Sequence, residues 1–123
     1  MSTTVYGIPN CDTVKRARTW LDEHGVPYTF HDFKKQGVPG PELDRWLASA
    51  GWEAVVNRRG TTWRQLDEKT RDSVVDNASA RPVLMANPSL IKRPVVQWPA
   101  KARAEATLGF DAQAWEPLAA EAR

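Results

Sequence analysis

A run of β-branched and aromatic residues opens the chain, and the apolar positions then switch to a helical spacing. Thr3 to Ile8, TTVYGI, joins β-branched and aromatic residues and stops at Pro9 and Asn10, which predicts a short strand and a turn. From Asp12 to His24 the apolar positions Val14, Ala17 and Leu21, with Trp20 adjoining, recur at helical intervals. Gly25 and Pro27 end that helix, and Asp12 or Asn10 is placed to cap it. YTFHDF, 28–33, alternates and predicts a second strand. Strand, helix, strand is most simply a right-handed crossover with parallel strands.

KKQGVPGP, 34–41, reads as a loop, and Pro41 suits the first turn of a helix whose stripe is Leu43, Trp46, Leu47 and Ala50, ended by Gly51. Between Trp52 and Ala80 the polar run NRRGTTWRQL precedes DEKTRDSVVDNAS, where Leu66, Thr70, Val74 and Ala78 fit another helical face. Thr61 or Thr62 is the expected N-cap in the first of these. PVLMANPSLI, 82–91, predicts a short helix interrupted near Pro88; RPVVQW, 93–98, a strand beginning at a proline; and FDAQAWEPLAAEA a final helix. The order predicts an α/β or α+β fold in which one sheet is flanked by helices. With 123 residues and no evident linker, 1–123 is expected to be a single domain.

Composition narrows the function. Hydrophobic content of 41% and charged content of 26% are those of an ordinary water-soluble protein, and no run approaches the ~18 apolar residues of a membrane span. MSTTVYGIPN has neither a basic leader nor a long apolar core, so a cytoplasmic location without membrane association is the expectation. Net charge is +2 with basic and acidic residues interspersed, which argues against a nucleic-acid partner. Six tryptophans, scattered without a period, read as core anchors or edge packing. His24 and His31 lack ligand spacing, so no metal is expected.

Cys11 is the only cysteine. It can form no internal disulfide, and it is either small buried packing or chemistry. Its place between strand and helix favours chemistry: the sulfur would lie by the unpaired N–H groups and positive end of a helix, which favour the thiolate and a bound anion. Lys15 and Arg18 share that helix and are expected to extend into solvent without a catalytic role. Arg93 directly precedes Pro94 at the start of the late strand, where an X-Pro bond can be cis and expose backbone to a ligand.

YGIPNCDTVKRA, NRRGTTWRQL and NPSLIKRPVV, in this order, resemble the arsenate-reductase-like family that includes the ArsC, Spx and YffB proteins, from about Thr4 to Phe110. The resemblance implies an α/β thioredoxin-like fold with a mainly helical insertion and a cis bond at Arg93–Pro94 beside the thiol. It makes Cys11 the nucleophile and Arg93 an oxyanion-binding residue, with Asn10 and Arg58 as further candidates for holding oxyanion or substrate. In such arsenate reductases the cysteine attacks arsenate, glutathione attacks the adduct and glutaredoxin resolves the mixed disulfide. A second family arginine falls at Asn57, one place from Arg58, and Lys101 and Arg103 give no convincing match to a third. NRRGTTWRQL and NCDT look closest to the YffB branch, which implies a glutathione-dependent thiol reductase. Its expected partners are glutathione and glutaredoxin, acting on a small oxyanion or thiol substrate, with no bound cofactor and a monomeric state. The other reading is an Spx-like transcriptional regulator that binds RNA polymerase. Val14, three residues after Cys11, rules out a CxxC switch there.

Overall fold

A computed structural model of the chain describes residues 2–123. Its internal contacts separate two compact units, one ending at Gln36 and resuming with Arg93–Arg123, the other Gly37–Lys92.

In the first unit, β1 (Thr3–Gly7), α1 (Asp12–Glu23) and β2 (Tyr28–Asp32) form the expected crossover, with β1 and β2 parallel in the register Val5 to Phe30. A four-residue helix, α2 (Phe33–Gln36), follows at once where a loop is predicted. The Asp32 carboxylate accepts the Lys34 N–H, and the Gln36 side chain accepts the Asp32 N–H. These local bonds turn the strand end into a helical turn that periodicity does not reveal.

The second unit is helical. It holds α3 (Gly40–Ala50), α4 (Trp52–Val55), α5 (Thr61–Gln65), α6 (Glu68–Ser73), α7 (Asn77–Ala86) and a 3₁₀ turn at Pro88–Leu90. Leu43, Trp46 and Leu47 form the buried stripe of α3, whereas Ala50 is exposed beside the terminating Gly51, whose φ is 86°. Gly60, not Thr61 or Thr62, is the N-cap of α5. The face predicted from Leu66 to Ala78 is broken into two helices, because Asp67 caps α6 through Thr70 and Asp76 forms a capping box with Ser79 that starts α7. Val74 is the extended C-cap between them. An isolated bridge joins Val56 to Ile91.

The chain then re-enters the first unit as β3 (Val95–Gln97), antiparallel to β1, and β4 (Thr107–Leu108), antiparallel to β3. A 3₁₀ turn at Ala100–Ala102 lies between them, and α8 (Ala112–Ala122) closes the chain. Sheet order is β2-β1-β3-β4. The core of this unit joins Val5 and Val96 of the sheet to Ala17 and Leu21 of α1 and Trp115 and Ala119 of α8. Trp115 meets Trp98, Trp20 and Phe110 edge-on, with ring centroids 5.3, 5.7 and 4.9 Å away. Trp98 donates its indole N–H to Thr107 Oγ1 at 3.0 Å, which ties β4 to the core.

Candidate active site

The site begins with the close approach of α1 to β1. A Cβ on Gly7 would lie 3.0 Å from Val14 Cγ2, so the absence of a side chain at Gly7 lets the first turn of the helix sit against the strand end. Pro9 and Asn10 form an exposed bend, and the chain enters α1 with Cys11 in extended conformation, φ −141° and ψ 123°. Cys11 itself, rather than Asn10 or Asp12, is the N-cap. Its carbonyl accepts the Lys15 N–H at 2.9 Å, and its side chain makes no capping bond. The thiol is partly exposed, at a helix end whose first N–H groups have no intrahelical acceptor.

Arg93 reaches the same end of the sheet. β1 pairs antiparallel with β3, and Tyr6 opposite Val95 is the last pair of that ladder, so Arg93 and Pro94 lead into β3 at the end of the sheet where β1 leads out toward Cys11. The Arg93–Pro94 peptide is cis. The Pro94 carbonyl accepts the Gly109 N–H at 2.9 Å, which fixes the segment from its other side. Pro94 is buried and Arg93 half-buried.

Cys11, Asn10, Arg93 and Pro94 thus belong to one unit and one sheet end, while Arg58 belongs to the second unit. The Arg58 guanidinium lies 3.7 Å from Glu53 and 5.3 Å from the Trp52 ring centroid, and 48% of the side chain is exposed. The histidines are tied into aromatic clusters. His24 stacks on Trp20 at 3.7 Å and its Nε2 is 3.6 Å from Glu116, while the His31 ring is 5.0 Å from Tyr6. Among the described residues no three His, Cys, Asp or Glu side chains cluster as a metal site.

Arg18 departs from its expected extension into solvent. It is half-buried, its Nε donates to the Tyr28 hydroxyl at 3.0 Å, and its guanidinium carbon lies 4.1 Å from the Phe30 ring centroid. No sequence pattern announces this contact between α1 and β2, although the i, i+4, i+7 spacing of Cys11, Lys15 and Arg18 could have placed all three on one helix face.

The ArsC family model matches residues 6–118, and the chain belongs to the ArsC family. It is 42% identical over 113 residues to an uncharacterized protein of Haemophilus influenzae, covering 92% of this chain and 95% of that one. Over 95 residues, 76% of this chain and 71% of the other, it is 25% identical to the global transcriptional regulator Spx 1 of Oceanobacillus iheyensis. Among solved structures it resembles a YFFB protein, with a TM-score of 0.86 and 44% identity over 99% of this chain and 100% of that one. An arsenate reductase (ArsC) related protein of Brucella melitensis has a TM-score of 0.72 and 48% identity, over 94% and 92% of the two chains. The fold is accordingly thioredoxin-like, with the helices of Gly37–Lys92 as its insertion. No helix among the described residues is long and apolar enough to cross a membrane.

Proposed function

We propose that the protein is a glutathione-dependent thiol reductase in which Cys11 is the nucleophile. The observation that carries this reading is the partly exposed Cys11 at the N-cap of α1, on the sheet end where β3 begins just after Arg93 and Pro94. A helix N-terminus favours negative charge on the sulfur, and a guanidinium fork holds a substrate oxyanion or carboxylate.

In the reaction with a glutathione mixed disulfide, the Cys11 thiolate attacks the glutathione sulfur. The substrate thiolate leaves with the electron pair of the broken S–S bond, and a Cys11–glutathione disulfide remains. A second glutathione thiolate attacks that disulfide, releasing oxidised glutathione and restoring Cys11. The chain has one cysteine, so the resolving thiol comes from outside, from glutathione or from a glutaredoxin. Asn10, at the bend before the thiol, and Arg58 are the further candidates for substrate contact. Relatedness to an arsenate reductase related protein supports arsenate as an oxyanion to be tested in the same assay.

The test is incubation with oxidised glutathione followed by intact mass measurement, with Cys11→Ser as the blank. A single adduct on the wild-type chain that glutathione then removes is expected. A chain that stays unmodified refutes the enzyme reading.

A second reading, an RNA polymerase-binding regulator, is favoured by the similarity to Spx 1. It predicts retention of purified polymerase by the wild-type chain and by Cys11→Ser alike, because Val14 leaves no CxxC pair to switch binding.

A further inference from the structure

Beyond Asp12 in its first turn, the charge order of α1 runs against its dipole. Lys15, Arg16 and Arg18 crowd its first half, while Asp22 and Glu23 end it, and no basic residue lies in the last turn. Cations are disfavoured near the positive end of a helix and anions near the negative end. Lys15 and Arg18, three residues apart, also repel each other. Where a local rule is broken in this way, a ligand is a common reason.

Cys11, Lys15, Arg18 and Asp22 fall on one stripe of the helix, at intervals of four, three and four residues. Lys15, Arg18, Thr19 and Asp22, with Tyr28 of β2, line an open cavity of about 260 Å³ beside that stripe. Arg18 is held there in advance: the Tyr28 hydroxyl takes its Nε–H and the Phe30 ring backs its guanidinium. This attachment uses one of five guanidinium donors, and among the described residues the two terminal amino groups have no hydrogen-bond acceptor. Asp22, one turn further on, forms no ion pair with Arg18 despite the favourable i, i+4 spacing. The groove therefore lines up two cations and, one turn further on, an acid along the stripe that starts at Cys11.

We propose that this groove binds the charged end of a zwitterionic thiol peptide attached through sulfur to Cys11. Lys15 and Arg18 take its carboxylate and Asp22 its ammonium group. The inference rests on the thiol-transfer reading above and assigns the specificity of that same site. Seven residues of helix separate Cys11 from Arg18 by about 10 Å, and Lys15 lies about 6 Å along. Those distances suit a peptide of glutathione size, whose sulfur and terminal α-carboxylate are separated by several bonds. A neutral thiol of two or three carbons cannot span them. Exchange with such a peptide's disulfide balances simply: the S–S bond of the peptide disulfide breaks, one peptide thiolate leaves with the electron pair, and the Cys11–peptide disulfide forms.

The experiment compares the rates at which Cys11 is modified by oxidised glutathione and by hydroxyethyl disulfide, which is neutral. Wild type, Lys15→Gln, Arg18→Gln, Arg18→Lys and the control Arg16→Gln are followed by intact mass, with circular dichroism to verify folding. Arg18→Gln is expected to slow the reaction with oxidised glutathione about tenfold, matching about 1.4 kcal/mol of lost binding. Its rate with hydroxyethyl disulfide stays within twofold of wild type. Arg18→Lys restores part of the loss, and Arg16→Gln changes neither rate. If Arg18→Gln slows both disulfides equally, or neither, the groove assignment is overturned while the thiol-transfer reading stands. If wild-type Cys11 reacts with neither disulfide, the thiol-transfer reading fails and the groove assignment falls with it.

Discussion

Replacing Gly7 by alanine tests whether the approach of α1 to β1 sets the thiol in place. The new Cβ would stand 3.0 Å from Val14 Cγ2, inside ordinary contact distance, and Val14 is completely buried, so it has little room to yield. Overpacking of this kind costs about 1–3 kcal/mol. Removing a glycine from a strand returns roughly 0.5–1 kcal/mol through the unfolded chain. The expected balance is a net loss of about 1 kcal/mol, or about 4 °C in Tm for a chain of this size. Because the strain falls on the first turn of α1, alkylation of Cys11 by iodoacetamide should also change in rate. Trimming the opposing side chain should relieve the clash, so Gly7→Ala/Val14→Ala should be more stable than the sum of its single variants by about 1 kcal/mol. Urea denaturation of the four proteins measures that coupling. A Gly7→Ala protein that is more stable than wild type, or a cycle additive within about 0.5 kcal/mol, would refute the argument that this contact positions the helix.

Thr107→Val should leave the buried Trp98 indole N–H without its acceptor and cost about 1–3 kcal/mol, read as a lower urea midpoint with an unchanged slope. Trp115→Ala should cost about 3–5 kcal/mol, because it opens a cavity among three aromatic rings. Asp67 and Asp76 are held below the usual carboxylate value of 3.8, first by the hydroxyls of Thr70 and Ser79 and then by the N–H groups of those residues. A carboxyl depressed on folding contributes stability above its unfolded value and loses it as pH falls through the folded one. The wild-type Tm should therefore fall below about pH 4, and Asp76→Asn should lower the Tm at pH 7 while flattening that acid limb. An equally steep limb in Asp76→Asn would show that this cap does not contribute to it.

Where one element carries its own periodicity, the sequence states the structure plainly. Val14, Ala17 and Leu21 define α1, and Leu43, Trp46 and Leu47 define α3, because one buried face dictates each spacing. The same spacing misleads from Leu66 to Ala78, where two aspartate caps outweigh a continuous apolar stripe. The D-x-x-S pattern at Asp76 and Ser79 is the signal that marks the break. β4 is two residues long, too short to show alternation. At the site, the thiol is legible because strand end, turn and helix start are all local features. The placement of Arg93 depends on a strand pairing between distant segments, and that of Arg18 on a tyrosine and a phenylalanine from a neighbouring strand. A single chain pattern does not encode such cross-element contacts directly.

The insertion separates the two halves of the sheet in time as well as in sequence. β1, α1 and β2 are synthesised first, and β3, which lies between β1 and β4, follows only after Gly37–Lys92 has been made. At ribosomal speeds of about 5–20 residues per second, that interval is several seconds. During it the growing chain already carries the Cys11 thiol, but neither the strand that flanks it nor Arg93. Cys11 is thus born before the strand that completes its end of the sheet, and that sheet end is finished late in the life of each new molecule.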